Sequence, residues 1–300
     1  MSKIVISGAS GELGQRITKN VREKIPASDL TLVSRNPSAL ASSASDGVKI
    51  CYGDYRDLAS LEAGYEGSDV LMIISGHAVA KRIPEHRNAI ASAKKAGIKH
   101  IVYTSVAGVH PRNPTISAGD HIVTENDLRE SGLGYTILRN QTYCELFTAM
   151  AEPALMSGTW FQVSDGGMIA PVSREDIARC AATCLVEPER HANVTYEITG
   201  PDLLTFKDIA AMVAELYDIP IEYVVVSPEK MYEIFDSWGF QRTNTEGSTH
   251  PGKLWGSDEL VTAYTAFAQD YHAILSHHVQ FITGSRPASL RDILVADKPH

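Results

Sequence analysis

The first fourteen residues constrain this chain more than any other stretch. Lys3 to Ser7 alternates apolar and small residues, as a buried strand does. Gly8, Gly11 and Gly14 follow at once, ahead of an amphipathic segment from Leu13 to Val21. The spacing predicts a strand, a tight turn and a helix. In that arrangement Gly8 permits the sharp turn and Gly11 leaves the backbone open. Gly14 lets the helix lie close to the strand. The helix N-terminus then offers free amides and a partial positive charge to a diphosphate. Ser10, Glu12 and Leu13 lie in the same loop and join the three glycines as candidate cofactor-binding residues.

Strands are expected at Lys3–Ser7, Leu30–Ser34, Val48–Tyr52, Val70–Ile74, His100–Thr104 and Tyr135–Leu138. Helices are expected between them at Gly11–Glu23, Leu58–Tyr65, Pro84–Ala96 and His121–Ser131. Such alternation builds a Rossmann-like, doubly wound parallel sheet in an α/β fold, with a nucleotide at the carboxyl ends of the strands. Residues 1–140, completed by parts of 169–200, read as the dinucleotide-binding domain. Residues 141–168 and 200–300 read as a smaller C-terminal α/β lobe for the substrate. Past Leu138 the sequence predicts helices capped by Ser173 and by Thr205, strands at Val194–Thr199 and Ile221–Val226, a loop at Thr243–Gly252 and a long helix at Ser257–His277.

The end of the second strand separates NAD from NADP. An acidic residue there would bond the ribose 2′-hydroxyl. This chain has Ser34, Arg35 and Asn36, with no Asp or Glu in the adjacent sequence. Arg35 suits a 2′-phosphate, so NADP(H) is the expected cofactor ahead of NAD(H). Asp54 and Tyr55 past the third strand are candidate adenine contacts. Ser75, Gly76 and His77 end the fourth strand, and Thr104 and Ser105 end the fifth.

Composition narrows the partners. A net charge of −9 argues against a nucleic-acid surface, and no apolar run is long enough for a membrane helix. The N-terminus runs straight into a strand, so no signal peptide is expected. The four cysteines match no zinc spacing, and Cys180 and Cys184 share one face of a helix as small buried residues. A cytoplasmic setting is expected. His110, His250, His272, His277 and His278 are scattered or adjacent, so no metal is expected.

The runs ISGASGELG, LVSRNP, GDYRD, IKHIVYTS, HIVTE, GYTILRN and VSREDIARCAA resemble the NmrA-like branch of the atypical and extended short-chain dehydrogenase/reductase superfamily. The resemblance runs from the N-terminus to about residue 240. It implies an NAD(P)H-dependent oxidoreductase, nearest to reductases of quinones and triphenylmethane dyes. The wider superfamily places Tyr-x-x-x-Lys on the helix before the sixth strand. Here that place reads His121 to Glu125, and no lysine lies between Lys99 and Lys207. The usual proton-donating dyad is therefore absent.

A quinone or a cationic dye needs little more than the hydride, which agrees with that absence. His121 is a candidate acid–base group, with Glu125 at i+4 to orient it or to bond a ribose hydroxyl. Asn140 and Tyr143, in the turn after the sixth strand, are candidates at the nicotinamide and substrate mouth. Tyr143 and Phe147 are the aromatic residues expected to wall a flat pocket. The expected partner is a small aromatic or conjugated substrate, and the sequence leaves open whether the chain forms a homodimer. Two alternatives stand beside this reading. One is a non-catalytic NAD(P) sensor that binds a regulatory protein. The other is a carbonyl or ether reductase or isomerase that uses His121 as its acid–base group.

Overall fold

Ile4–Ser7, Leu30–Ser34 and Val70–Ile73 are buried along their whole length, which only a sheet covered on both faces allows. The computed structural model describes residues 2–76, 78–80, 82–243 and 255–298. Elements run β1 (Ile4–Ser7), α1 (Glu12–Arg22), β2 (Leu30–Ser34), α2 (Ala41–Ser45), β3 (Lys49–Tyr52), α3 (Leu58–Tyr65), β4 (Val70–Ile73), α4 (Arg82–Ala96), β5 (His100–Val106), α5 (Ile116–Glu130) and β6 (Gly134–Asn140). The second half continues with α6 (Cys144–Ser157), β7 (Thr159–Gln162), β8 (Met168–Ile169), α7 (Arg174–Val186), β9 (Val194–Ile198), β10 (Leu204–Thr205), α8 (Phe206–Tyr217), β11 (Glu222–Val225), α9 (Pro228–Ser237), α10 (Ser257–Ala268), α11 (His278–Thr283) and α12 (Leu290–Ala296).

One seven-stranded sheet has the order β3-β2-β1-β4-β5-β6-β9, and every pairing in it is parallel. This is the α/β, Rossmann-like arrangement that the strand–helix alternation predicts. Alternate residues face opposite sides. Ile4 and Ile6 pack with Leu13, Ile17 and Val21 of α1 and with Ile177, Cys180 and Cys184 of α7. Val5 packs on the other face with Leu61 of α3, Ile90 of α4 and Leu128 of α5. A third cluster holds Phe147, Trp160, Phe206, Phe235, Tyr264 and Leu290, from α6, β7, α8, α9, α10 and α12.

The outer edge of β9 is partly occupied by the chain itself. The Glu197 amide donates to His278 Nδ1 at 3.0 Å, and the Ser276 hydroxyl donates to the Glu197 carbonyl. No described helix is long and apolar enough to cross a membrane.

Several elements differ from the sequence expectation. The helix from Ser257 ends at Ala268, where Gln269 and Asp270 turn the chain, so the segment up to His277 is not helical. Helix α5 begins at Ile116 instead of His121, which places His121 within its second turn. Helices α6, α9 and α12 were not legible. Of the loop expected at Thr243–Gly252, residues 244–252 lie outside the described residues, as do His77 and His250. The Ser173 and Thr205 caps form as expected, the latter as a reciprocal capping box with Asp208.

The glycine loop has the predicted shape. Gly8 takes a positive φ of 80°, and its amide donates to the Val33 carbonyl at 3.1 Å. A β-carbon on Gly14 would lie 2.4 Å from the Gly8 carbonyl oxygen and 2.8 Å from Ala9 Cα. One on Gly11 would meet only the Gly8 oxygen, at 3.5 Å. We therefore expect Gly14→Ala to cost about 3 kcal/mol by overpacking against backbone, and Gly11→Ala under about 1 kcal/mol as a weakened N-cap. Urea unfolding of both variants checks this.

The buried histidines set the acid limit of the fold. Burial lowers the pKa of His86 to about 3, with the Arg82 charge adding to it, and lowers that of His272 to about 4. Burial, with His191, lowers that of His100 to about 4. The unfolded chain titrates these groups near about 6.5, so below that pH it binds protons that the folded state does not. Stability should fall as pH drops from 6.5 toward 4, read as a falling urea midpoint. His86→Gln, His100→Gln and His272→Gln together should flatten the fall.

Candidate functional site

Helix α1 starts at Gly11 with no side chain capping it, and the Gln15 amide is the first to find an intrahelical carbonyl, Gly11 O at 2.9 Å. The amides of Glu12, Leu13 and Gly14 therefore open toward the loop, as an anion cradle requires. The Ser10 hydroxyl lies 2.7 Å from that of Ser34, which also accepts from the Asn36 amide at 2.9 Å. The cradle and the turn after β2 are thus tied together.

Arg35 is exposed in that turn. Its surroundings correct one expectation, because the fold brings an acid close that the adjacent sequence lacks. Asp54 sits within electrostatic reach of Arg35, and Arg56 holds the same carboxylate at 2.7 Å. The Arg56 hydrogen bond, with Arg35 contributing, keeps the Asp54 pKa low against the opposing effect of burial. Arg35 and Arg56 thus bring two guanidinia to this rim. The carboxylate that was expected to take the adenine amino group is already held by Arg56. Tyr55 is fixed beside it, its hydroxyl donating to the Ile74 carbonyl at 3.1 Å.

At the ends of β4 and β5, the Ser75 amide donates to Thr104 Oγ1 at 2.9 Å. Ser105 lies on the other face and donates to Glu125 Oε1 at 2.8 Å. Glu125 also receives Arg139 in a two-pronged pair at 2.8 and 2.7 Å, and Arg129 at 2.8 Å. Burial alone would raise its pKa, but these donors hold it below the usual value. Glu125 therefore does not orient His121, which corrects the expected role. Arg139 likewise faces this network and Glu197 at 3.1 Å, not the mouth of the site.

His121 is 3% exposed. Its Nε2 lies 3.2 Å from Arg82 Nη1 and its Nδ1 lies 2.7 Å from the Tyr103 hydroxyl. Arginine only donates, so Nε2 must accept and Nδ1 carries the proton. Burial, then the charges of Arg82 and His86, push its pKa well below 6.5. A neutral imidazole so placed is not an acid at neutral pH, and its i+4 spacing to Glu125 carries no contact. Beneath it, His86 Nδ1 lies 2.9 Å from Thr124 Oγ1, which donates to the Asp120 carbonyl at 2.9 Å.

Asn140 ends β6 and is 3% exposed. Neither Nδ2 nor Oδ1 meets a partner in hydrogen-bonding geometry. The Tyr143 hydroxyl is close enough to feel the amide without closing such a bond. Burial raises the Tyr143 pKa, while Arg174, Asn140 and Arg82 oppose the rise. Arg174 stacks 5.0 Å above the Tyr143 ring and lies 3.5 Å from Glu12 at the cradle. It joins the cradle to the β6–α6 turn. Phe147, expected at a pocket wall, is instead fully buried in the third core against Phe206.

Arg82 and Arg174 were missed in the sequence. Arg174 follows a helix cap and carries no local signal. Arg82 did carry one. It lies on the stripe Arg82, His86, Ile90 and Ala93, which is the buried face of α4. Among the described residues no group of three or more His, Cys, Asp or Glu is arranged to hold a metal ion.

Residues 8–188 match the family model described as NAD(P)H-binding. Quinone oxidoreductase 2 of Escherichia coli is 37% identical over 208 residues, covering 69% of this chain and 72% of that protein. The crystal structure of the E. coli NADPH-dependent quinone oxidoreductase QOR2 complexed with NADPH superposes with a TM-score of 0.88 at 30% identity, covering 98% of this chain and 99% of that one. The Citrobacter sp. triphenylmethane reductase complexed with NADP(H) gives a TM-score of 0.85 at 28% identity, with 98% and 99% covered. The strand order, the open amide cradle and these matches agree, and the chain belongs to the NAD(P)H-binding, NmrA-like family.

Proposed function

We propose that this protein is an NADPH-dependent reductase that passes a hydride to a quinone-like or otherwise conjugated aromatic acceptor. The orphaned amide of Asn140 carries this reading. A buried amide with both atoms unpartnered costs a few kcal/mol, roughly, until something satisfies it. The nicotinamide carboxamide is its complement in kind, offering one donor and one acceptor. When bound, NADPH supplies the hydride.

The chain supplies the rest. Amides of Glu12, Leu13 and Gly14 take the pyrophosphate, flanked by Gly8, Ser10 and Gly11. Arg35, with Ser34, takes the 2′-phosphate. Asp54 and Tyr55 border the adenine, and Ser75, Gly76, Thr104 and Ser105 line the strand ends. Glu125 acts from behind, holding Ser105 and Arg139. Tyr143 and Asn140 hold the nicotinamide and the acceptor. Residues 1–140, with parts of 169–200, bind the cofactor, and residues 141–168 and 200–300 form the substrate lobe. The named activities of the E. coli quinone oxidoreductase and the Citrobacter triphenylmethane reductase support the acceptor class. A neutral His121 supports chemistry that needs no protein acid. Four free cysteines support a reducing, cytoplasmic setting.

Stopped-flow oxidation of bound NADPH against quinones, triarylmethane dyes, enones and aromatic ketones tests the reading. Turnover with the first two classes is expected, and no turnover with any would sink it. Arg35→Ala should weaken NADPH by about 1.5–3 kcal/mol through loss of a charged contact while barely changing NADH, measured by calorimetry. The pH profile of quinone reduction should show no inflection near about 6.5, the ordinary histidine value. An inflection there that disappears in His121→Asn would restore an acid–base role.

A further inference from the structure

Arg82 opens α4 with its guanidinium turned inward, only 6% exposed. Its Nε donates to the Gly76 carbonyl at 2.6 Å and its Nη1 to His121 Nε2 at 3.2 Å. His121 is fixed in turn by Tyr103 at 2.7 Å. The guanidinium is thus anchored to the loop after β4, to α5 and, through His121, to β5. Its charge is felt by Tyr143 at the β6–α6 turn, by Asp120 on α5 and by Glu259 on α10. Both carboxylates are engaged: Asp120 Oδ2 accepts the Ala80 amide at 2.7 Å and Glu259 Oε2 accepts the Ser117 amide at 3.2 Å. Burial raises the pKa of each, while these hydrogen bonds and the Arg82 charge oppose the rise.

We propose that Arg82 is the fixed cation that stabilises the oxyanion formed when a quinone is reduced, with His121 as its positioning residue. This rests on the reductase reading above. Reduction transfers two electrons and one hydrogen nucleus to the quinone and leaves NADP+ and a hydroquinone monoanion. That anion then takes its proton from water. Arginine does not give up a proton in this step, so its contribution is electrostatic. Two properties of the site make that contribution large. Burial limits screening by water, and the anchoring bonds hold the charge in place before the reaction starts. A neutral, Nδ1-protonated His121 accepts from Arg82 without adding a second positive charge. The histidine in the family's proton-donor slot thereby holds a cation in place of donating a proton.

The two acceptor classes respond oppositely to such a cation. A quinone gains negative charge on reduction, whereas a cationic triarylmethane dye loses positive charge. Single-turnover rates with 1,4-benzoquinone and with a cationic dye are therefore compared. Arg82→Met should lower the ratio of quinone rate to dye rate by about 100-fold, the usual effect of removing an oxyanion-stabilising group. Arg82→Lys should recover part of the ratio. His121→Asn should lie nearer wild type than His121→Ala, because it keeps an acceptor for the guanidinium. Equal slowing of both acceptors by Arg82→Met would overturn the proposal and leave Arg82 a structural brace. Wild-type protein that reduces neither acceptor would instead overturn the reductase reading. Equilibrium binding decides the proposal without turnover, even if Arg82→Met fails to fold. At pH 8.5, with and without NADP+, wild-type protein should bind 4-nitrophenolate about tenfold more tightly than 4-nitroanisole, its neutral counterpart. Equal affinity for the two would refute the fixed-cation role.

Discussion

The contact of Gly14 with the backbone of Gly8 and Ala9 governs the rest of the molecule. Hydrogen in place of a side chain lets α1 come down onto the loop. The helix amides then open at the end of β1, in the middle of the sheet. The order of strands places that point between β2 and β4, where the direction of winding reverses. The tie from Ser10 to Ser34 and the cation stack of Arg174 on Tyr143 extend outward from it. One close backbone approach thereby sets the positions of the glycine loop, the turn after β2 and the β6–α6 turn relative to one another.

What the wider superfamily does with a tyrosine and a lysine, this chain arranges differently. The slots hold His121 and Glu125, and each is drawn into its own buried network. Glu125 is saturated by Ser105, Arg129 and Arg139. His121 is caught between Arg82 and Tyr103. Breaking either network would strand a buried charge or a buried ring nitrogen, which is costly in an interior of low polarity. His121 and Glu125 are thereby part of the buried scaffold of this chain.

The sheet was legible because short, mostly apolar stretches of strand length alternate with helical patterns. Val70–Ile73 and His100–Thr104 needed no tertiary information to be found. The cradle was legible because its glycines have a geometric reason at a fixed spacing. The aromatic lobe was less so. Helix α6 carries Pro153 in its interior and α9 stops before Trp238, and their packing partners lie far apart in sequence. Side-chain roles were legible only where local geometry decides them. Glu125 four residues after His121 satisfies a helical spacing rule, yet Arg139 on a neighbouring strand won the carboxylate. Asp54 is distant from Arg35 in sequence and close in space. Spacing along one element cannot report such competition between elements.

The segment that lies along β9 has a consequence for how copies of this chain meet. Ser276 and His278 take the outward-facing polar groups of Glu197, so a strand arriving there from another molecule would first have to displace them. Addition of a strand at that edge therefore competes with a tie the chain has already made to itself.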